Sequence, residues 1–217
     1  MEIEIIKPEY KIETEINGQA ILKRLEMYGR LSHKSEDRAN EGSAPIFIKK
    51  ILEWGHESIL EHENITVRFI CDRGVTHELV RHRLAAYTQE STRYCNYGHK
   101  IQFIEPIFFK KESEEYSLWL KGVQEAAKNY ENLLQKGAAP EEARSLLPNS
   151  LKTEIVMTTN LREWRHVLKM RTAIAAHPQI REIMIPLLLE FKKLIPVIFD
   201  DFVVDSNTNT AQILKSS

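Results

Sequence analysis

Hydrophobic and polar positions alternate along several short segments of the chain, and this spacing predicts β-strands. The alternation runs through residues 2–6, 12–16 and 64–71, and it returns at 100–105 and 153–159. Because successive side chains of a strand point to opposite faces, alternation is typical of strands with one buried face. These five segments predict a mixed sheet.

Between and after these strands, apolar residues recur every three or four positions, which predicts helices. The helical segments are residues 20–29, 44–54, 112–136, 140–147, 161–171 and 177–199, and a further helix begins near Val75. Asn160 is a suitable N-cap for the helix that follows it, with Glu163 in the matching capping-box position. The last helix is so densely apolar that burial on several sides, including a subunit interface, is expected.

The pattern predicts a single α+β domain over residues 1–217, with a mixed sheet surrounded by helices. No internal repeat or linker divides the chain, and only the tail after about Asp205 is predicted to fray. A chain of 217 residues, 42% of them hydrophobic, is large enough for one sizeable core.

Charge and cysteine content restrict the possible functions. The 30 Lys and Arg residues face 31 Asp and Glu residues, so the chain lacks the basic field that drives binding to extended nucleic acid. Cys71 and Cys95 belong to no CxxC or Cys/His metal spacing, and no apolar run reaches the ~20 residues of a membrane span. We expect a cytoplasmic protein with no bound metal, no membrane association and a local anion-binding site.

Basic, hydroxyl and aromatic side chains cluster in residues 81–94, which are predicted to form the end of a helix and its exit. Arg81, Arg83 and Arg93 supply guanidinium groups, each able to bind two phosphate oxygens at once. Neighbouring residues of a helix point in different directions, so the cluster can serve two anionic ligands. The donors and ring faces that a nucleotide needs are completed by His82, Tyr87, Ser91, Thr92 and Tyr94.

A simpler interpretation is that these arginines are solvated and ion-paired with Glu78 and Glu90, as in most runs of charges. A metal site is also conceivable at His56 and His62. Their HExxxxH spacing, however, does not place both histidines on one helical face at i and i+4, as a zinc protease requires.

The order and spacing of these residues resemble a known family. Arg81-His82-Arg83, then seven residues, then Ser91-x-Arg93 matches the RHR-x7-S-x-R signature of the flavin-dependent thymidylate synthases. The segments that agree upstream and downstream are His56–His62, Ala143-Arg144 with Leu147-Pro148, and Asn160-x-Arg162 leading to Arg171. The resemblance covers about residues 45–195, and a long motif accompanied by several matching segments is more specific than a short motif.

This resemblance implies an enzyme that converts dUMP to dTMP. In the family, methylenetetrahydrofolate supplies the methylene group, and FAD takes a hydride from NADPH. The protein then has to fix the uracil ring and neutralise phosphates, which accounts for a site rich in arginine. The resemblance also implies a homotetramer with shared active sites, and FAD held without the GxGxxG motif of a Rossmann domain.

The family also implies a set of dUMP-binding residues. Arg171 is implied as the catalytic electrostatic residue at the uracil edge, where a cation favours ionisation of N3. Ser91 is implied near the reacting pyrimidine, but no Ser-His-Asp arrangement is visible around it, so it is not assigned as a nucleophile. The implied dUMP set is Glu78, Arg81, Gln89, Glu90, Ser91, Thr92, Arg93, Arg144 and Arg171.

A second implied set binds FAD. His56 is the histidine near the isoalloxazine, and Ser58 and Glu61 match contacts to the adenine dinucleotide. The remaining members are Arg81, His82, Arg83, Gln89, Asn160, Arg162, His166 and His177. Three of them also have simpler interpretations: Asn160 as a helix cap, His166 as an exposed helical residue, and His177 as the start of the last helix.

Four positions depart from the commonest form of the family pattern: Glu78, Gln89, Thr92 and His166. The spacing from Arg171 to His177 is also about two residues longer than in some relatives. Two other functions therefore stay open. One is a nucleotide- or RNA-binding protein without chemistry, and the other is a flavoprotein that methylates a different uracil-containing substrate.

Overall fold

The computed structural model describes residues 1–214 and has the predicted α+β class. The helices are α1 (Gly18–Leu31), α2 (Ser43–Glu53), α3 (Arg73–Leu79), α4 (Glu114–Gln135), α5 (Pro140–Ala143), α6 (Leu161–Arg171), α7 (Pro178–Leu194) and α8 (Pro196–Phe199). The strands are β1 (Glu2–Ile6), β2 (Glu9–Ile12), β3 (Asn64–Asp72), β4 (Ala85–Gln89), β5 (Lys100–Ile104), β6 (Lys152–Asn160), β7 (Phe202–Asp205) and β8 (Thr210–Ile213). Within the described residues, no helix combines the length and the apolar character needed to cross a membrane.

The described residues group into two compact units. The first contains residues 1–11, 68–83 and 87–157, and the second contains residues 12–67, 84–86 and 158–214. The prediction that all residues form one domain stays a prediction.

The predicted strands are distributed over separate sheets. β1 pairs in parallel with β5, from Glu2 opposite Lys100 to Ile6 opposite Ile104. A four-stranded sheet has the order β2-β3-β6-β4. The strand predicted at 12–16 is wrong except at Ile12, the last residue of β2, because residues 13–17 are not strand. Asn17 instead caps α1, its side chain accepting a hydrogen bond from Ala20 N at 3.0 Å.

The core of the first unit lies between the β1–β5 pair and α4. Ile101 and Phe103 of β5 are buried together with Val123 and Ala127 of α4. These two helical residues are four positions apart, so they lie on the same face of α4. The first unit therefore buries the face that the helical spacing predicts.

Aromatic rings form much of the core of the second unit. Trp164 of α6 meets Phe191 of α7 edge to face at 5.5 Å between ring centroids, and its Nε1 donates to the carbonyl oxygen of Ile65. The residues of α7 buried within this chain are Gln179, Ile180, Arg181, Ile183, Met184, Ile185, Leu187, Leu188 and Phe191. Burial inside the chain thus confirms that several sides of this helix are covered, and a subunit interface on it stays a prediction.

The prediction that the tail frays after Asp205 is wrong for the residues described. β7 and β8 form an antiparallel hairpin, in which Phe202 lies opposite Ile213 and Asp205 opposite Thr210. Asp205 also accepts hydrogen bonds from Asn207 N at 2.9 Å and from the Thr208 hydroxyl at 2.8 Å. These bonds close the turn, which is the usual role of an Asp at such a position.

Candidate functional site

Residues 81–83, here called the arginine loop, are not helical as predicted. α3 ends at Leu79, and β4 begins at Ala85. In a longer helix, the carbonyl oxygen of Leu79 would accept from the backbone N–H four residues later. Here it accepts from the Tyr87 hydroxyl at 2.6 Å and from His82 N at 3.0 Å. The Tyr87 hydroxyl is also 2.9 Å from the His82 carbonyl oxygen. Tyr87 therefore ends the helix and fixes the loop.

The loop separates its basic side chains. His82 is buried, with 6% of its surface exposed, whereas Arg81 and Arg83 are exposed. Neither arginine forms an ion pair within residues 1–214. The simpler interpretation is therefore wrong for these two guanidinium groups in their ion pairing with Glu78 and Glu90, whereas their exposure agrees with the solvation that it predicts.

Glu90 instead belongs to a separate network in the first unit. Its carboxylate accepts hydrogen bonds from the Tyr97 hydroxyl at 2.6 Å and from Lys152 Nζ at 3.1 Å. Burial and the bond to Glu90 raise the pKa of Tyr97 well above its usual value. Burial lowers the pKa of Lys152, but hydrogen bonds with Glu154 and Glu90 outweigh burial and raise it. Glu90 is thus engaged as a charged acceptor beside Ser91.

Gln89 is held by two hydroxyl groups. Its Nε2 donates to Thr76 Oγ1 at 3.1 Å and to Thr153 Oγ1 at 3.3 Å, and both threonines are fully buried. No described residue bonds to the amide oxygen of Gln89. The side chain therefore offers a positioned acceptor.

The turn after β4 brings several predicted dUMP residues together. Thr92 is buried and accepts from Arg144 Nη1 at 3.1 Å, which links the signature to the arginine predicted 52 positions later. Arg93 lies 3.4 Å from the Glu141 carboxylate. Ser91 Oγ accepts from Arg93 N at 3.3 Å, and no described base side chain bonds to it. The geometry gives Ser91 no activated hydroxyl.

Two further predicted dUMP residues occupy helices. Glu78 lies in α3 and is partly buried. Arg171 is the last residue of α6, in the second unit, and is also partly buried.

The second unit contains a pocket of about 690 Å³ beside α6. Four predicted FAD residues line it: Glu61, Asn160, Arg162 and His166. The other lining residues are Glu57, Leu84, Glu163, Arg165, Lys169 and Ile213. Arg162, Arg165, His166 and Lys169 have spacings of three and four, so they share one face of α6. This spacing is the signal that would have identified Arg165 and Lys169; Ile213 has no comparable local signal.

The short 3-10 helix Glu57–His62 forms another part of this pocket. Arg162 Nη1 lies 2.5 Å from Glu61 Oε1, with both side chains about half exposed. His56 directly precedes this helix, and its ring meets the Trp54 ring edge-on at 5.9 Å between centroids. Ser58 is exposed within the helix. Neither His56 nor Ser58 lines the pocket.

Two residues with simpler interpretations do act as helix caps. Asn160 Oδ1 accepts from Glu163 N at 2.9 Å, so it caps α6 as well as lining the pocket. His177 Nδ1 accepts from Gln179 N at 3.3 Å at the start of α7, and His177 is not a pocket residue. His166 is exposed on α6 and faces the pocket.

Side chains of both positive and negative charge line the pocket. Burial raises the pKa of the Glu163 carboxyl group, against the opposing effect of His166. Burial lowers the pKa of the Arg165 guanidinium, but its interactions with Asp201 and Glu57 outweigh burial and raise it. Arg165 therefore stays charged while it is buried.

Comparison with known proteins identifies the family. The family described as thymidylate synthase complementing protein matches residues 19–197. The flavin-dependent thymidylate synthase of Pyrococcus abyssi is 39% identical over 166 residues, which cover 75% of this chain and 68% of that protein. The flavin-dependent thymidylate synthase of Corynebacterium efficiens is 31% identical, and the alignment covers 94% of this chain and 88% of that protein.

A solved structure has a similar fold. It is that of the UMP/dUMP methylase PolB from Streptomyces cacaoi, with a TM-score of 0.72 and 24% identity, covering 91% of this chain and 95% of that one. The family match across most of the chain agrees with the signature at Arg81–Arg93. The chain therefore belongs to the thymidylate synthase complementing protein family, that of the flavin-dependent thymidylate synthases.

Proposed function

We propose that this chain catalyses the reductive methylation of dUMP to dTMP, with FAD as cofactor and with methylenetetrahydrofolate and NADPH as co-substrates. The observation that carries the proposal is the exposure of Arg81 and Arg83 without an ion-pair partner in residues 1–214. Two unpaired guanidinium groups inside the family signature are suited to the phosphates of nucleotide ligands. Family membership supplies the chemistry.

The pocket of the second unit fits the chemistry of FAD. Its volume of about 690 Å³ is that of a ligand site. Arg162, His166 and Lys169 provide donors for phosphate oxygens, and the carboxylates of Glu57 and Glu61 provide acceptors for hydroxyl groups. When bound, FAD accepts a hydride from NADPH and so supplies the reducing equivalents for methylation.

The residues of the first unit would bind dUMP. Arg144 is positioned by Thr92, and the Gln89–Arg93 segment presents the Gln89 amide oxygen and the Ser91 hydroxyl. These groups offer the substrate a cation, an acceptor and a hydroxyl group. They orient it without forming a covalent bond, because no base side chain of residues 1–214 bonds to Ser91 Oγ.

Arg171 is proposed as the catalytic residue at the uracil edge. A guanidinium group there stabilises the negative charge that develops when N3 ionises and the ring becomes a better nucleophile. The role is electrostatic, since a guanidinium group supplies positive charge and hydrogen-bond donors.

We further propose that the enzyme is a cytoplasmic homotetramer whose active sites are shared between subunits. Its ligands are nucleotides and folate rather than nucleic acid. The formal net charge of −1 and the local grouping of arginines support this choice of ligands.

The test uses the purified full-length chain. After incubation with FAD and desalting, we expect a retained flavin spectrum that NADPH bleaches under anaerobic conditions when dUMP is present. We then expect dTMP when methylenetetrahydrofolate is added. Flavin retention with methylation of UMP instead of dUMP would assign a different substrate, and the absence of retained flavin would favour a nucleotide-binding protein without chemistry.

A further inference from the structure

The hairpin of β7 and β8 contributes to the pocket of the second unit. Ile213 of β8 lines this pocket, and within residues 1–214 it is the only lining residue that follows α6. It is partly buried, in line with Ala211 two positions before it, whereas Gln212 between them is exposed. Alternation along the strand therefore turns Ile213 inward, toward the pocket.

Hydrogen bonds position this hairpin against the residues around it. Ala211 N donates to the carbonyl oxygen of Thr172, directly after α6, at 2.9 Å. Lys192 of α7 donates to the carbonyl oxygen of Phe202. The backbone N–H of Leu214 donates to the carbonyl oxygen of Asp201 at 2.9 Å. The hairpin thus has a fixed place beside α6.

Arg165 holds the base of the hairpin and the 3-10 helix at the same time. Its Nη1 and Nη2 lie 2.8 and 2.6 Å from the two carboxylate oxygens of Asp201, and Nη1 also donates to the Ile198 carbonyl oxygen. Its Cζ lies 5.5 Å from the centroid of the Phe202 ring. On its other side, Nε is 3.4 Å from Glu57 Oε1. One buried guanidinium therefore connects two parts of the pocket wall.

We propose that the β7–β8 hairpin is part of the cofactor site, with Ile213 as an apolar wall against the bound cofactor and Arg165 as the positioning residue that holds this wall. The inference rests on the proposed function, because it takes the cofactor to be FAD. Apart from Leu84, the other lining residues are polar or charged, so Ile213 supplies apolar surface that a planar ring system needs.

The experiment titrates FAD into the apo form of the full-length chain and follows the quenching of flavin fluorescence. Ile213→Glu is expected to weaken FAD binding by about tenfold or more, because it places a charge against the ring. Val203→Glu is the matched control, since Val203 is exposed on the same hairpin and does not line the pocket. It should bind FAD within about twofold of the unaltered chain.

Arg165→Met tests the positioning role and should also weaken FAD binding by about tenfold, with partial rescue in Arg165→Lys. Calorimetric titration with dUMP and the thermal midpoint report whether each variant is folded. Unchanged FAD affinity in a folded Ile213→Glu variant would overturn the proposed role of the hairpin and leave the proposed function in place. An unaltered chain that binds no FAD would overturn the proposed function together with it.

Discussion

At the scale of single residues, the Thr76 hydroxyl group favours an amide over a carboxylate at position 89, because it needs a hydrogen-bond donor there. Thr76 Oγ1 donates its only proton to the Arg73 carbonyl oxygen at 3.0 Å, so it can only accept from Gln89 Nε2. A glutamate at position 89 would place two acceptors opposite each other. We expect Gln89→Glu to lower the free energy of unfolding by about 1–3 kcal/mol, measured by urea denaturation at neutral pH.

The pH dependence of this variant separates the proposed cause from a general loss of packing. A protonated carboxyl group can donate to Thr76, so the deficit should shrink as the pH falls through the pKa of the new carboxyl group. Gln212→Glu is the control, because Gln212 is exposed and its replacement should leave stability within about 0.5 kcal/mol. A deficit that stays constant with pH would contradict this explanation.

Arg171 carries the second prediction at this scale. Arg171→Ala removes the cation proposed to stabilise the ionised uracil, so turnover should fall by about 10²-fold or more. Flavin should remain bound, because Arg171 is not among the residues that line the pocket of the second unit. Anaerobic flavin spectra and single-turnover formation of dTMP check both parts. Arg171→Lys, which keeps the charge, should retain more activity, and full dTMP synthesis by Arg171→Ala would reject the assigned role.

At the scale of elements, the cap of α6 has two separable functions. Asn160→Ala removes the bond to Glu163 N and should cost about 1 kcal/mol of unfolding free energy. Asn160→Asp keeps the cap and places a favourable charge at the helix N-terminus, so stability should be retained. The new charge also faces the pocket, so FAD affinity should fall in this variant. Urea denaturation and FAD titration measure the two effects.

The N-cap of α1 provides the matched control for this experiment. Asn17 makes the same bond, to Ala20 N at 3.0 Å, and does not line the pocket. Asn17→Ala should therefore cost about as much stability as Asn160→Ala, about 1 kcal/mol, with FAD affinity unchanged. Equal FAD affinity in all three variants would show that Asn160 acts as a cap only.

The elements also show what the sequence pattern could and could not predict. Strand β3 and helix α6 were predictable because their alternation, their helical spacing and the Asn160 cap are local features. The end of α3 was not predictable, because it depends on the Tyr87 hydroxyl, which reaches back to Leu79 from the next strand. The β7–β8 hairpin had a local signal in Asp205 and in Asn209, whose φ of 49° is left-handed. Its strands, however, have only four residues each.

The residues of the candidate site also divide into those that the sequence predicts and those that it does not. The family signature predicts the residues from Arg81 to Arg93, and the matching Ala143-Arg144 segment predicts Arg144, because the order of these segments is fixed along the chain. It does not predict Arg165 or Ile213, whose roles depend on Asp201 and on the hairpin. Partners that meet only through tertiary packing leave little trace in a linear pattern.

At the scale of the whole molecule, the proposed homotetramer needs an interface, and an apolar surface outside α7 is a candidate, because many residues of α7 are already buried within the chain. Exposed apolar side chains of the second unit include Met27 and Leu31 on α1 and Ile46 on α2, two helices in contact. Met27 and Leu31 are four positions apart and share one face. A second copy of the chain is the partner that the proposed assembly supplies for this apolar surface.

Ile46→Glu tests this interface. Ile46 is 73% exposed, so a glutamate there costs the isolated subunit little stability but is expensive to bury against a partner. We expect sedimentation velocity to show a tetramer for the unaltered chain and smaller species for Ile46→Glu at the same concentration. Leu118→Glu on α4 is the matched control, because Leu118 is 71% exposed and lies in the first unit. Because the proposed active sites are shared between subunits, dissociation should also abolish dTMP formation. A dissociated Ile46→Glu variant with full activity would contradict the shared site, and an intact tetramer would place the interface elsewhere.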